Sequence, residues 1–307
     1  MGFLLFGMSK IREHELTPHL ALLAVQVFFG TGPVIGKIVL KVIPAIGLVG
    51  FRVGITAAVL VVVQALRGRF WLHDKADYWR LAVLSVFGVT LNQLFFVTGL
   101  SLTKASNASL LAVTIPVFAI ASGAVAGIEK LRTPKVIGIL LAAIGVVLII
   151  DPRNASFSSE TTRGDLLIIA NSFCYGIYVA TSKTVVTRNG AFRSMMWVFV
   201  FAAIICLPLG ALSISSIDLY AVEPVTWVFV AYIAIGVTLA PYFLTAWALS
   251  RVNPSIVAVY IYLYPLIGFL LAVVFLGEHI DLKFIFATLL IFGGVYLVTK
   301  KFARSET

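Results

Sequence analysis

Charge is what this sequence has least of. Acidic and basic residues make up 12% of its 307 residues, against roughly 25% in a soluble domain. With 61% of residues hydrophobic and a mean hydropathy of +1.06, there is too little polar surface to wrap a core in water. Cysteine is scarce too. Cys174 and Cys206 both sit in apolar runs, which excludes a disulfide framework and a zinc cluster. The thirteen acids, among them Asp77, Glu129, Asp165 and Glu278, fall in loops or terminal turns, and the four histidines are peripheral. A proton- or sodium-driven pump built on a mid-membrane carboxylate is therefore not expected. No serine–histidine pair, paired aspartates or HExxH helix occurs at membrane depth, which weakens the enzyme reading, and no enzyme is expected. The N-terminus places an apolar patch before its basic residues, the reverse of a signal peptide, and no cleaved leader is expected.

What is present is long apolar runs. A membrane-crossing helix needs about 20 mostly apolar residues. Ten such spans can be placed, at 17–41, 45–66, 78–100, 105–127, 134–150, 163–186, 192–212, 225–248, 254–277 and 281–300. The expected fold is an all-α integral membrane bundle of ten helices in two units. Residues 1–16 form an N-terminal segment, 17–150 and 163–300 the two five-helix units, 151–162 a polar linker and 301–307 a tail.

Lysine and arginine resist translocation and mark the cytoplasmic side. Sixteen of them, including Arg67, Arg69, Arg132, Arg188 and Lys301, fall on one face, and six, including Lys37 and Arg163, on the other. Both termini are expected in the cytoplasm. The net charge of +10 is then topology, and no nucleic-acid partner is implied.

The segment "LLAVTIPVFAIASGAVAGIEKL" returns as "VYIYLYPLIGFLLAVVFLGEHI". Pro116 to Glu129 and Pro265 to Glu278 have the same spacing at an offset of 149, while Gly30 and Lys37 fall on Gly176 and Lys183 at an offset of 146. Five spans per copy reverse the second copy in the membrane. Two inverted copies around a midplane site are the architecture of alternating access.

These features resemble the drug/metabolite transporter superfamily. The Gly-to-Lys spacing in spans one and six and the proline-to-"GE" pattern ending "FLGEHI" fit its EamA-type exporters best. Aromatic-rich spans and overall length look most like YddG-type exporters of aromatic and other amino acids. The resemblance implies a ten-helix basket with a cavity lined mainly by helices 1, 3, 4, 6, 8 and 9. In the first copy Ile128 stands before the glutamate where the second has Gly277.

Candidate site residues are the uncharged polar and aromatic groups of the spans. Asn171, Tyr175, Tyr178 and Ser182 share one helical face. Gln26, Gly30, Pro33 and Lys37 do the same in the first span. Asn92 and Gln93 are expensive in lipid and are expected to face protein or water. Tyr242, Tyr260 and Tyr264 complete the set. Aromatic walls with a few amides suit a small amphipathic solute such as an amino acid. Pro116 and Pro265 each remove a backbone hydrogen bond and are expected hinges, together with Gly30 and Pro33. Glu129 and Glu278 are expected to stabilise following helix N-termini. Lys37, Arg52 and Lys183 lie toward span ends, where their stems are expected to snorkel, with Lys37 and Lys183 set by the repeat at opposite ends of the cavity, so no cation is expected at mid-depth. That counts against carriers of phosphate esters or nucleotide sugars, the main alternative, alongside a non-transporting membrane binding protein. The expected partners are a small amphipathic solute and the bilayer, with no metal, no cofactor and no obligate protein partner.

Overall fold

The computed structural model describes residues 2–104, 107–108, 111–128, 132–150, 159–264, 266–267 and 282–299. Among them there is no strand. The helices are α1 (Gly2–Val39), α2 (Ala45–Leu66), α3 (Lys75–Leu102), α4 (Ile115–Val125), α5 (Thr133–Ile150), α6 (Ser159–Thr181), α7 (Ala191–Ile214), α8 (Pro224–Leu249), α9 (Pro254–Val259) and α10 (Leu282–Thr299). A short helix, Lys183–Asn189, follows α6 and ends at Gly190, whose φ of 81° suits glycine. Among the described residues six helices, those carrying α1, α2, α3, α6, α7 and α8, are long and apolar enough to cross a membrane. The fourth, fifth, ninth and tenth expected spans fall on shorter described pieces. Pro265, Glu129 and Glu278 lie outside the described residues.

The periphery is apolar. Val34, Val62, Ile204, Leu212, Val228 and Leu289 are each more than half exposed, a surface that water does not tolerate over such an area and lipid does. Inside, helices meet through small residues, because lipid offers no hydrophobic drive and close van der Waals packing must supply the attraction. α2 crosses α7 where a Cβ on Gly50 would stand 2.9 Å from Gly210 Cα. α5 crosses α10 where a Cβ on Gly138 would stand 2.7 Å from Gly294 O. α3 packs on α6, and α1 on α8.

The regular helices break at four places. α3 carries a π-helical turn at Val86–Thr90 and α8 one at Ile233–Leu239. In α8 the cause is local: Pro241 has no N–H to offer the carbonyl four residues back, and the turn upstream widens. A 3₁₀ turn, Ala112–Thr114, precedes α4, and another, Tyr260–Tyr262, follows α9. Pro116 therefore stands in the first turn of α4, where its missing N–H costs nothing. The expected mid-span kink at Pro116 is in fact a helix start after a tightened turn.

Asp165 is a second departure. The sequence placed it in the opening turn of its span, but α6 begins earlier, at Ser159, and buries it in the second turn at 6% exposure. Thr103 Oγ1 donates to its Oδ1 at 2.5 Å and Asn107 Nδ2 at 3.1 Å. The carboxylate clasps the end of α3 to α6. At the end of the bundle carrying most arginines, buried Asp77 holds Arg80 and Arg188 and accepts from Asn189 Nδ2 at 2.7 Å.

Candidate functional site

α1, α2, α3, α6 and α8 surround a narrow cavity with about 100 Å³ of room for water-sized occupants. Its walls are mostly apolar, with Phe29, Phe96, Ile115 and Val237 among them. Seven of the nine residues expected to face a solute border it: Gln26, Asn92, Gln93, Asn171, Tyr175, Tyr242 and Tyr264. Pro33 borders it too, beside Gly32, whereas Gly30 does not.

Tyr242 is the hub of the polar groups. Its hydroxyl donates to Gly88 O at 2.8 Å and receives Gln93 Nε2 at 3.0 Å, and the Asn92 side-chain amide lies 2.7 Å away. A hydroxyl has one proton and two lone pairs. With the Asn92 amide turned to present its nitrogen, all three contacts are satisfied at once. Gly88 belongs to the π-turn of α3, so the hydroxyl of α8 binds the carbonyl that the widened turn exposes. Asn171 Nδ2 donates to Asn92 O at 2.9 Å, which adds α6 to the network.

Two expected residues stand outside the cavity. Tyr178 is wholly buried, and a Cβ on Gly88 would overlap its ring. It stacks on Tyr175 at 5.9 Å between centroids, while Phe199 meets Tyr242 edge-on at 5.3 Å. None of these rings lines the second, basic cleft, which is bordered by Gln64, Arg67, Arg69, Phe192, Arg193 and Trp247. Tyr260 pairs with His19 Nδ1 at 2.7 Å. Lys37, half-buried, occupies the last turn of α1, where a cation favours the helix dipole. Lys183 Nζ donates to Val252 O at 2.9 Å and to Asn253 Oδ1 at 3.1 Å, tying the short helix to the loop after α8. It lies away from the cavity lining.

Arg52 corrects the expectation of an uncharged cavity. It is 5% exposed and borders the cavity. It lies about 10 Å of helix rise from the start of α2, and its Nε donates to Thr238 Oγ1 at 2.9 Å in the π-turn of α8. It does not snorkel. The signal was in the sequence: a lone ionisable residue in an apolar span is costly in lipid and marks function more often than decoration. Gly32 and Phe29 carried no such signal, because an apolar residue facing a cavity looks the same in sequence as one facing lipid.

The sequence pattern of the EamA-like transporter family matches residues 16–151 and again 162–300. An uncharacterized transporter of Archaeoglobus fulgidus is 31% identical over 235 residues, 76% of this chain and 78% of that protein. The uncharacterized transporter YetK of Bacillus subtilis is 23% identical over 292 residues, 94% of this chain and 88% of that one. A solved crystal structure superposes with a TM-score of 0.74 at 22% identity, covering 92% of this chain and 96% of that one, which establishes the shared fold. With the family pattern spanning both halves of an all-helical bundle that has apolar flanks and an interior cavity, this chain belongs to the EamA-like transporter family.

Proposed function

We propose that this membrane transporter exports amino acids, the aromatic and other neutral ones foremost, by alternating access through the cavity bordered by Tyr242 and Asn171. The observation that carries the reading is the convergence of amides and aromatic rings from four helices on one hollow. Rings accept an apolar side chain, and amides hold a polar head. The chain is read as ten spans in two inverted units, with both termini cytoplasmic and the bacterial inner membrane as its place. The double family match supports two units. So does the placement of the π-turns, since Val86–Thr90 moved by 149 positions falls inside Ile233–Leu239. Helix pairing supports it too: α2–α7 and α5–α10 each join equivalent helices of the two halves, and α3–α6 and α1–α8 exchange with one another. Asp165 lies outside the cavity lining and is engaged as a clasp, so export needs no proton carried there.

Arg52 lends weight to a second reading, a phosphate-ester exchanger of the same superfamily. One guanidinium balances only one of the two charges of a phosphate monoester, and the rest of the lining supplies no further cation among the described residues. A solute with a single carboxylate fits better.

The test is uptake of a labelled amino-acid panel by proteoliposomes, with and without a pH gradient. Saturable uptake, competition among neutral and aromatic members, and equal rates with and without the gradient are expected. Flux that rises linearly without saturating indicates a channel. Preference for phosphate esters overturns the amino-acid reading.

A further inference from the structure

Among the described residues Arg52 carries a charge with no counter-charge. No described carboxylate pairs with it. Its Nε is spoken for, because Thr238 Oγ1 accepts from it at 2.9 Å and itself donates to Ile233 O at 2.8 Å. Thr56 Oγ1 donates to Ala234 O at 3.0 Å beside it, so α2 is pinned twice to the π-turn of α8. The anchor fixes the plane of the guanidinium. A guanidinium has five N–H donors, and those on its two terminal nitrogens find no acceptor among the described residues. In the same lining Gln26 is 1% exposed, and its Oε1 has no hydrogen-bond partner among the described residues. An uncompensated buried cation and an unsatisfied buried acceptor both oppose folding. One occupant relieves both if it brings an anion for the first and an N–H for the second.

We infer that Arg52 is the docking group for a carboxylate and Gln26 Oε1 the acceptor for an N–H of the same solute. The carboxylate half stands on Arg52 alone, and the N–H half rests on the amino-acid reading above. A planar, delocalised cation already held through Nε meets a carboxylate with two parallel hydrogen bonds, which a lysine cannot reproduce. The occupied cavity then joins α1, through Gln26, to α2 and α8.

Thermal unfolding of the purified protein, titrated with four probes of one ring and different heads, tests this. The probes are L-phenylalanine, 3-phenylpropionate, L-phenylalaninamide and phenethylamine. Phenylalanine and 3-phenylpropionate are expected to bind about tenfold or more tightly than the two probes lacking a carboxylate, from the ordinary strength of charge-assisted pairs. Arg52→Gln should abolish that preference, and Arg52→Lys should restore part of it. If Arg52→Gln does not fold, the wild-type ranking decides: amide and amine bound as well as the carboxylates overturns the inference. A preference unchanged in Arg52→Gln overturns it too, as does a wild-type protein that no carboxylate stabilises. Stabilisation by 3-phenylpropionate without any by phenylalanine upholds the carboxylate dock and removes the amino-acid reading.

Discussion

Gly50→Leu should leave little folded protein to purify. A Cβ at this position would stand 2.9 Å from Gly210 Cα and 3.3 Å from Cys206 O, both backbone atoms of α7 that no rotamer change can move. The reverse contact is as close, with a Cβ on Gly210 standing 2.8 Å from Gly50 Cα. Helix propensity alone favours alanine over glycine by about 1 kcal/mol. Here packing reverses the sign, because overpacking typically costs about 1–3 kcal/mol and more when backbone must separate. Gly50→Ala is therefore expected to lower the melting temperature in detergent, and Gly50→Leu to lower it by roughly 10 °C or to prevent recovery altogether. Melting temperatures at or above wild type for Gly50→Ala would mean that α2 and α7 do not touch here.

Tyr242→Phe should reduce saturable amino-acid uptake by about tenfold or more while the protein still folds. The hydroxyl joins Gly88 O, Gln93 and Asn92 in one cluster, and its loss strands a carbonyl and two amides beside the cavity at a cost of about 1–3 kcal/mol. Each 1.4 kcal/mol is a factor of ten. Tyr178→Phe is the comparison. Its hydroxyl makes one sulfur contact, to Met195 at 3.4 Å, and uptake should change little. Equal uptake by Tyr242→Phe and wild type in proteoliposomes would remove Tyr242 from the site.

The two results differ in how far the sequence foretold them. The apolar runs that become α2, α3, α7 and α8 are legible, because 20 or so mostly apolar residues in a row have few other fates. The cavity face of α6 was legible for the same reason in miniature: Asn171 and Tyr175 are one helical turn apart and too polar for lipid. Tyr178 continues that face in sequence but not in space. The α3 π-turn leaves Gly88 bare, and the ring fills that gap instead of facing the hollow. Neither π-turn is written in hydropathy, since widening a helix by one residue leaves its composition unchanged. Lys183 stands just past α6, which ends at Thr181, and the short helix that follows turns its ammonium toward Val252. Arg52 lies close enough to a span end to snorkel by residue count, and its distance along the chain does not show what holds it inside. Thr238, 186 positions away, gave that answer only in three dimensions.

Ala112 borders the cavity from the 3₁₀ turn before α4, and alanine to cysteine adds one sulfur atom. In Ala112→Cys carried on a background of Cys174→Ala and Cys206→Ala, a small membrane-impermeant methanethiosulfonate can be added to sealed right-side-out or inside-out vesicles. A hollow that opens in turn to each face predicts modification from both sides, with the rate on each side altered by saturating phenylalanine. Modification from one side alone, in vesicles that still transport, contradicts alternating access through this cavity.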